Sequence, residues 1–205
     1  MIRQKTWGLA LVLGLLAMPA SADFAAGQAA AAKGDHKTAA REWQASGAQG
    51  DVSSQMALGY LYQKGLGVEH DYSQAIAWWE RAAKQGNLEA MRLIGRAYLQ
   101  SGPNLKQDVA KGLVWYRKAA EGNDMMAQLD LAQIQIKFAN DDNDLKSAFY
   151  WLNRAAAQGS SAAMKNLSVM HEKGIGTPVN AEEAQKWRAK YEAASKEDAS
   201  KVAKH

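Results

Sequence analysis

The 205-residue chain contains no cysteine and only three prolines. Without cysteine there is no disulfide framework, no thiolate metal site, no cysteine nucleophile and no lipid-modified N-terminal cysteine. Charge of one sign is scarce as well, with 25 basic against 21 acidic residues. Arg3 and Lys5 precede every acidic residue, so the chain beyond position 22 carries only about +2, which excludes the charge footprint of a nucleic-acid binder. The remaining balance, 47% hydrophobic and 22% charged, is that of a globular chain able to bury a core.

Long hydrophobic runs are also missing. Residues 1–22 combine a basic start, an apolar run from Trp7 to Ala17, and Ala20-Ser21-Ala22 after Pro19. A transmembrane anchor needs about twice that apolar length and gives no reason for the small residues. The pattern is that of a cleaved secretory signal peptide. The mature chain is therefore expected to begin at Asp23, in a bacterial periplasm or outside the cell, with no stable membrane insertion after cleavage.

What the chain has in excess is tryptophan, seven in all. Trp78, Trp115, Trp151 and Trp187 stand 37, 36 and 36 residues apart, the spacing of an internal repeat. Around them Ala75-Ile76-Ala77-Trp78-Trp79 is echoed by Gly112-Leu113-Val114-Trp115-Tyr116 and Ala148-Phe149-Tyr150-Trp151-Leu152. Ala82-Ala83 recurs at Ala119-Ala120 and Ala155-Ala156, and the units end at Gly86, Gly122 and Gly159. Each unit reads as two helices and a turn. Leu58, Leu61 and Tyr62 share one face of the first helix, Gly65-x-Gly67 turns the chain, and Asp71 caps the second helix. The units are 51–86, 87–122, 123–159 and 160–191, preceded by a degenerate copy over 23–50, in which Trp43 stands where Trp79 does, and followed by a polar tail over 192–205. The third unit departs most: Ala132 replaces a glycine, and Asn140-Asp141-Asp142-Asn143-Asp144 replaces the glycine turn, with Asp144 as the expected cap.

A lone hairpin cannot hide its apolar face, whereas stacked copies bury it against one another. The fold expected is thus all-α, a right-handed solenoid of helix pairs. Leu-Gly-x-x-Tyr, Gly-x-Gly-Val, an Asp before Ala-x-x-Trp, and Ala-Ala-x-x-Gly in a 36-residue frame resemble Sel1-like repeats, relatives of tetratricopeptide repeats. The resemblance implies that successive first helices line a concave face where partners bind.

Candidate chemistry has a structural explanation in each case. Gly65-x-Gly67 and Gly174-x-Gly176 lack the strand and the third glycine or Gly-Lys-Ser/Thr ending of a phosphate loop. Counting from Asp141, the sixth and twelfth positions of an EF-hand would hold Lys146 and Leu152 rather than glycine and glutamate. His36, His70, His171 and His205 lack helical metal-ligand spacing, and His171 sits where Tyr62 and Tyr98 stand, so it is expected to pack with a hydrogen bond. The methionines, among them Met56, Met91 and Met170, read as core filling rather than as soft copper ligands. Glu182 and Glu183 suit a helix N-terminus. No nucleophile elbow is present, and no enzyme, cofactor or metal is expected.

A surface remains. With Leu93, Ile94 and Tyr98 facing the core, Arg92 and Arg96 are expected to point away from it; equivalent places hold Met56 and Tyr60, Leu129 and Gln133, Lys165 and Val169. The candidate partner-binding residues are Tyr60, Arg92, Arg96, Gln133 and Lys165, forming a groove with an aromatic end and a basic middle suited to an acidic peptide. The function expected is a monomeric, non-enzymatic interaction scaffold of the bacterial cell envelope. The alternative is an immunity protein that neutralises a secreted toxic hydrolase. Beta-lactam hydrolysis, proposed for cysteine-rich relatives, is disfavoured because those repeats are pinned by disulfides. Expression of the full chain in a Gram-negative host, followed by N-terminal sequencing of the periplasmic fraction, is expected to read Asp23 first; cytosolic protein starting at Met1 would contradict the leader.

Overall fold

Capping side chains set where the helices begin. Asp51, Asn87, Asp124 and Ser160 each accept a hydrogen bond from the backbone N–H three residues on, and so do Asp35, Asp71, Asp108 and Asn180. Each such bond satisfies one of the amide donors a helix start leaves open. The computed structural model describes residues 24–202, which form ten helices: α1 Phe24–Ala32, α2 His36–Ala48, α3 Val52–Lys64, α4 Tyr72–Lys84, α5 Leu88–Gln100, α6 Val109–Glu121, α7 Met125–Lys137, α8 Asp142–Ala157, α9 Ser161–Lys173 and α10 Ala181–Val202. The leader over 1–22 lies outside the described residues. Extensive contacts run almost entirely between helices consecutive in sequence, more densely within a hairpin than between hairpins. The result is an all-α solenoid of helical repeats, as the periodicity implies.

In the first four hairpins a small residue of the first helix stands opposite a large residue of the second. A Cβ added at Gly27 would collide with the Trp43 indole, one at Gly59 with Trp79, and one at Gly95 with Tyr116 at 2.7 Å. The indole N–H of Trp43 donates to the Phe24 carbonyl at 3.0 Å, and that of Trp79 to the Met56 carbonyl at 3.3 Å, so each ring is also fixed in rotation. In the third unit both partners change together: Ala132 replaces the glycine and Leu152 the ring, both fully buried in one cluster. In the fourth, Ser168 takes the small position and its hydroxyl donates to the Ala184 carbonyl at 2.8 Å.

The periodic tryptophans lie one residue before these buried partners and fill the seam with the preceding hairpin. Trp78 joins the cluster of Ala39, Trp43, Leu58 and Leu61, and Trp115 packs on that of Ala75, Trp79 and Ile94. A cation three residues on covers each ring: Arg81 lies 4.0 Å from Trp78, Lys118 4.2 Å from Trp115, Arg154 5.6 Å from Trp151 and Lys190 4.1 Å from Trp187. Buried glutamines brace alternate seams. Gln55 donates to the Gly47 carbonyl and Gln128 to the Ala120 carbonyl, while Gln85 and Gln158 donate to their side-chain oxygens.

The structure corrects the sequence reading at three places. Asp144 keeps the register of Asp71 and Asp108, but α8 starts a turn earlier, so Asp141 is the cap and accepts from the amides of Asn143 and Asp144. The physical reason is the missing glycine turn: α7 ends at Phe138 without a left-handed residue, whereas α3 and α9 end at Gly65 and Gly174 with φ of 65° and 70°. Gly122 is not the turn residue that Gly86 and Gly159 are; its φ is −69°, and Asn123 takes the positive φ of 72° instead. Asparagine tolerates that conformation better than most residues. His171 packs edge-on against Phe149 at 5.3 Å, but its buried Nδ1 has no hydrogen-bond partner. Beyond Tyr191 the polar stretch continues α10, which runs from Ala181 to Val202.

The paired small and large residues predict a coupling. Gly59→Ala is expected to destabilise by about 1–3 kcal/mol through overpacking against Trp79. Leu152→Trp alone should cost about as much, and adding Ala132→Gly should recover at least about 1 kcal/mol of it in urea denaturation. Strictly additive effects would show that the two positions are independent.

Candidate partner-binding surface

Depressions lie along the first helices, and of the residues five and nine places after the caps Met56, Tyr60, Arg96, Gln133, Lys165 and Val169 line them. The first, about 610 Å³, lies among α1, α2, α3 and α5, with Phe24, Trp43, Met56, Tyr60 and Leu93 in its wall. Tyr60 is 51% exposed at its edge, with the Lys64 ammonium 5.9 Å from the ring centre. A second depression, about 340 Å³, lies between α5 and α7 and is lined by Arg96, Tyr116, Asp130, Gln133 and Lys137. The third, about 220 Å³, holds Lys165, Val169, Arg188 and Tyr191 where α9 meets α10. Tyr60, Arg96, Gln133 and Lys165 therefore border depressions, but three separate ones rather than a single site.

Arg92 does not belong with them. Its side chain is only 17% exposed, and Nε lies 3.8 Å from the Asp124 carboxylate, an ion pair too long to be a hydrogen bond. Two acids invisible to the first-helix comparison, Asp124 and Asp130, bring this about. Asp124 caps α7 one unit on, and stacking brings that cap beside the fifth residue of α5. Asp130 sits where other units carry Ala57, Leu93 and Asn166, a lone acid at an otherwise uncharged register. Burial pushes its carboxyl above the usual range, against the opposing pull of Arg92 and Arg96. Burial also raises the facing Tyr116 hydroxyl, and Asp130 adds to the effect. The basic middle of the surface thus reduces to Arg96 and Lys137 beside one acid.

Other groups weighed for chemistry are engaged structurally. Asp142 pairs with Lys146 at 2.7 Å, Lys186 bridges Glu182 and Glu183 at 2.8 and 2.9 Å, and Glu172 holds Arg188 at 3.0 Å. The paired carboxylates hold the Lys186 ammonium well above the usual lysine range. Among the described residues no group of three His, Asp or Glu is placed to hold a metal, and no helix is long and apolar enough to cross a membrane.

The geometry agrees with what the chain is similar to. It is 27% identical over 150 residues to an uncharacterized protein of Neisseria meningitidis serogroup B, a match covering 73% of this chain and 31% of that protein. The chain thus spans about a third of the length of that relative. Among solved structures it resembles a protective antigen present in uropathogenic Escherichia coli strains, with a TM-score of 0.70 and 26% identity over 83% of this chain and 38% of that one. A Sel1 repeat protein from Oxalobacter formigenes gives a TM-score of 0.70 at 27% identity, covering 82% of this chain and 69% of that one. The Sel1 repeat model matches residues 52–87, 88–124, 141–160 and 161–187, so in the third unit it covers α8 but not the divergent α7. Such repeats are generally non-catalytic protein-interaction scaffolds. Matched over more than half its length, and with hairpins stacked in the same frame, the chain belongs to the Sel1 repeat family.

Proposed function

We propose that the protein is an exported, non-enzymatic scaffold of the bacterial cell envelope that holds a protein or peptide partner against its first helices. The observation that carries this reading is the line of depressions on those helices, where Tyr60, Gln133 and Lys165 are exposed and Arg96 stands half-buried beside Tyr116 and Asp130. Aromatic and arginine side chains at such places supply large contact area and directional charge, the usual anchors of protein interfaces. Support for export comes from the composition of residues 1–22, and the likeness to a protein described as a protective antigen accords with it. Of the cations on this surface, Arg96, Lys137 and Lys165 remain for a partner, whereas Arg92 serves the α5–α7 contact.

This division of labour is testable. Arg96→Glu combined with Lys165→Glu is expected to weaken capture of the crosslinked periplasmic partner at least tenfold while leaving the thermal midpoint within a few degrees of the parent. Arg92→Glu should instead lower stability by about 2–4 kcal/mol, because a new carboxylate would face Asp124 and Asp130 in a poorly hydrated place. Partner capture indifferent to Arg96 and Lys165 would refute the assignment.

A further inference from the structure

The apolar depression is walled by small and apolar side chains. Over its described residues α1 offers Phe24, Ala30 and Ala31 to the cluster beneath. The side chains of Met56 and Tyr60 stand in the wall of the gap beside them. Among the described residues around that gap, Glu89 is the one fixed charge. A large apolar side chain can enter it without stranding an ion. Across α5 the chemistry reverses, since Arg96 and Lys137 outnumber Asp130 among the residues of the second depression. A carboxylate gains there and an ammonium loses.

Resting on the scaffold reading above, we infer that the partner contributes an extended segment that seats one large apolar side chain in the gap beneath α1 and sets a carboxylate about three residues away against Arg96 and Lys137. The spacing follows from the two sites lying on opposite sides of α5, which contributes Leu93 to one and Arg96 to the other. Packed helices lie about 8–10 Å apart, and an extended chain advances about 3.3 Å per residue. Anchor and acid are thus separated by roughly one helix diameter. The apolar end supplies the anchor, and the charge decides which segments are accepted.

The probes are fluorescein-labelled ten-residue Gly/Ser peptides, titrated against the full chain by fluorescence polarisation. The first carries Trp with Asp three residues on, the second replaces Asp by Lys, the third replaces Trp by Ser, and the fourth moves Asp next to Trp. The first is expected to bind at least tenfold more tightly than the other three. Tyr60→Glu should remove that preference for Trp, and Lys137→Glu should reverse the preference between Asp and Lys; both positions are exposed, and circular dichroism verifies that the variants stay folded. Equal binding of the Asp and Lys peptides overturns the inference. So does tight binding of anilinonaphthalene sulfonate that Tyr60→Glu abolishes but no peptide displaces, which would assign the gap to a small apolar ligand. Self-association in sedimentation that Tyr60→Glu abolishes would assign it to a second copy and overturns it equally. If the periplasmic partner is captured through Arg96 and Lys165 but is indifferent to Tyr60→Glu, the scaffold reading stands and this inference alone falls.

Discussion

The solenoid depends on the close approach of paired helices at one point in each of its first four hairpins, where a residue with little or no side chain meets a large one. Gly59 against Trp79 is the clearest case: the ring is completely buried and its N–H is tied to the Met56 carbonyl. The chain has no cysteine with which to close its hairpins covalently. The contact is steric rather than covalent, so it holds only while neighbouring units keep the ring covered. That makes the hairpins mutually dependent, as expected for an array whose stability is a sum of unit and interface contributions.

The seams between hairpins use a second device. The tryptophans that mark the period are amphipathic, with one face in the preceding cluster and the other under an arginine or lysine three residues on. A cation over an indole contributes about 0.5–1 kcal/mol at an exposed site, and its aliphatic stem shields the ring from water. Gln55 and Gln128 add polar bracing at alternate seams, with their amides paired across the joint. Met91 and Met164 occupy the same register in the other two units, so the chain carries a two-unit alternation on top of its 36-residue period.

Irregularities in this regular scaffold shape the depressions along its first helices. Alanines of α1 border the apolar gap beside Met56 and Tyr60, and Asp130, an acid in an otherwise uncharged register, turns the α5–α7 depression polar. Where the repeat is followed faithfully, side chains are consumed by packing; where it lapses, surface is left over. The first helices therefore offer a partner a graded sequence of environments, from apolar at α1–α3 to charged at α5–α7 and beyond.

The repeat and its helix pairs were legible in the residues alone because the period, the glycine turns and the capping acids are local signals. So was the placement of Tyr60, Gln133 and Lys165 away from the core, since helical spacing decides which face a side chain takes. Arg92 was misread because helical geometry says only that it leaves its own core, not that stacking delivers Asp124 of the next unit to meet it. The turn at Asn123 and the early start of α8 were likewise hidden, since each depends on how many residues the connection needs once the neighbouring helices are in place. Sequence by itself determined the elements and their period, because these follow from propensity, capping and hydrophobic spacing. Tertiary structure alone decided which charges are spent and which depressions stay open, because both are set by residues a full unit apart that only stacking brings into contact.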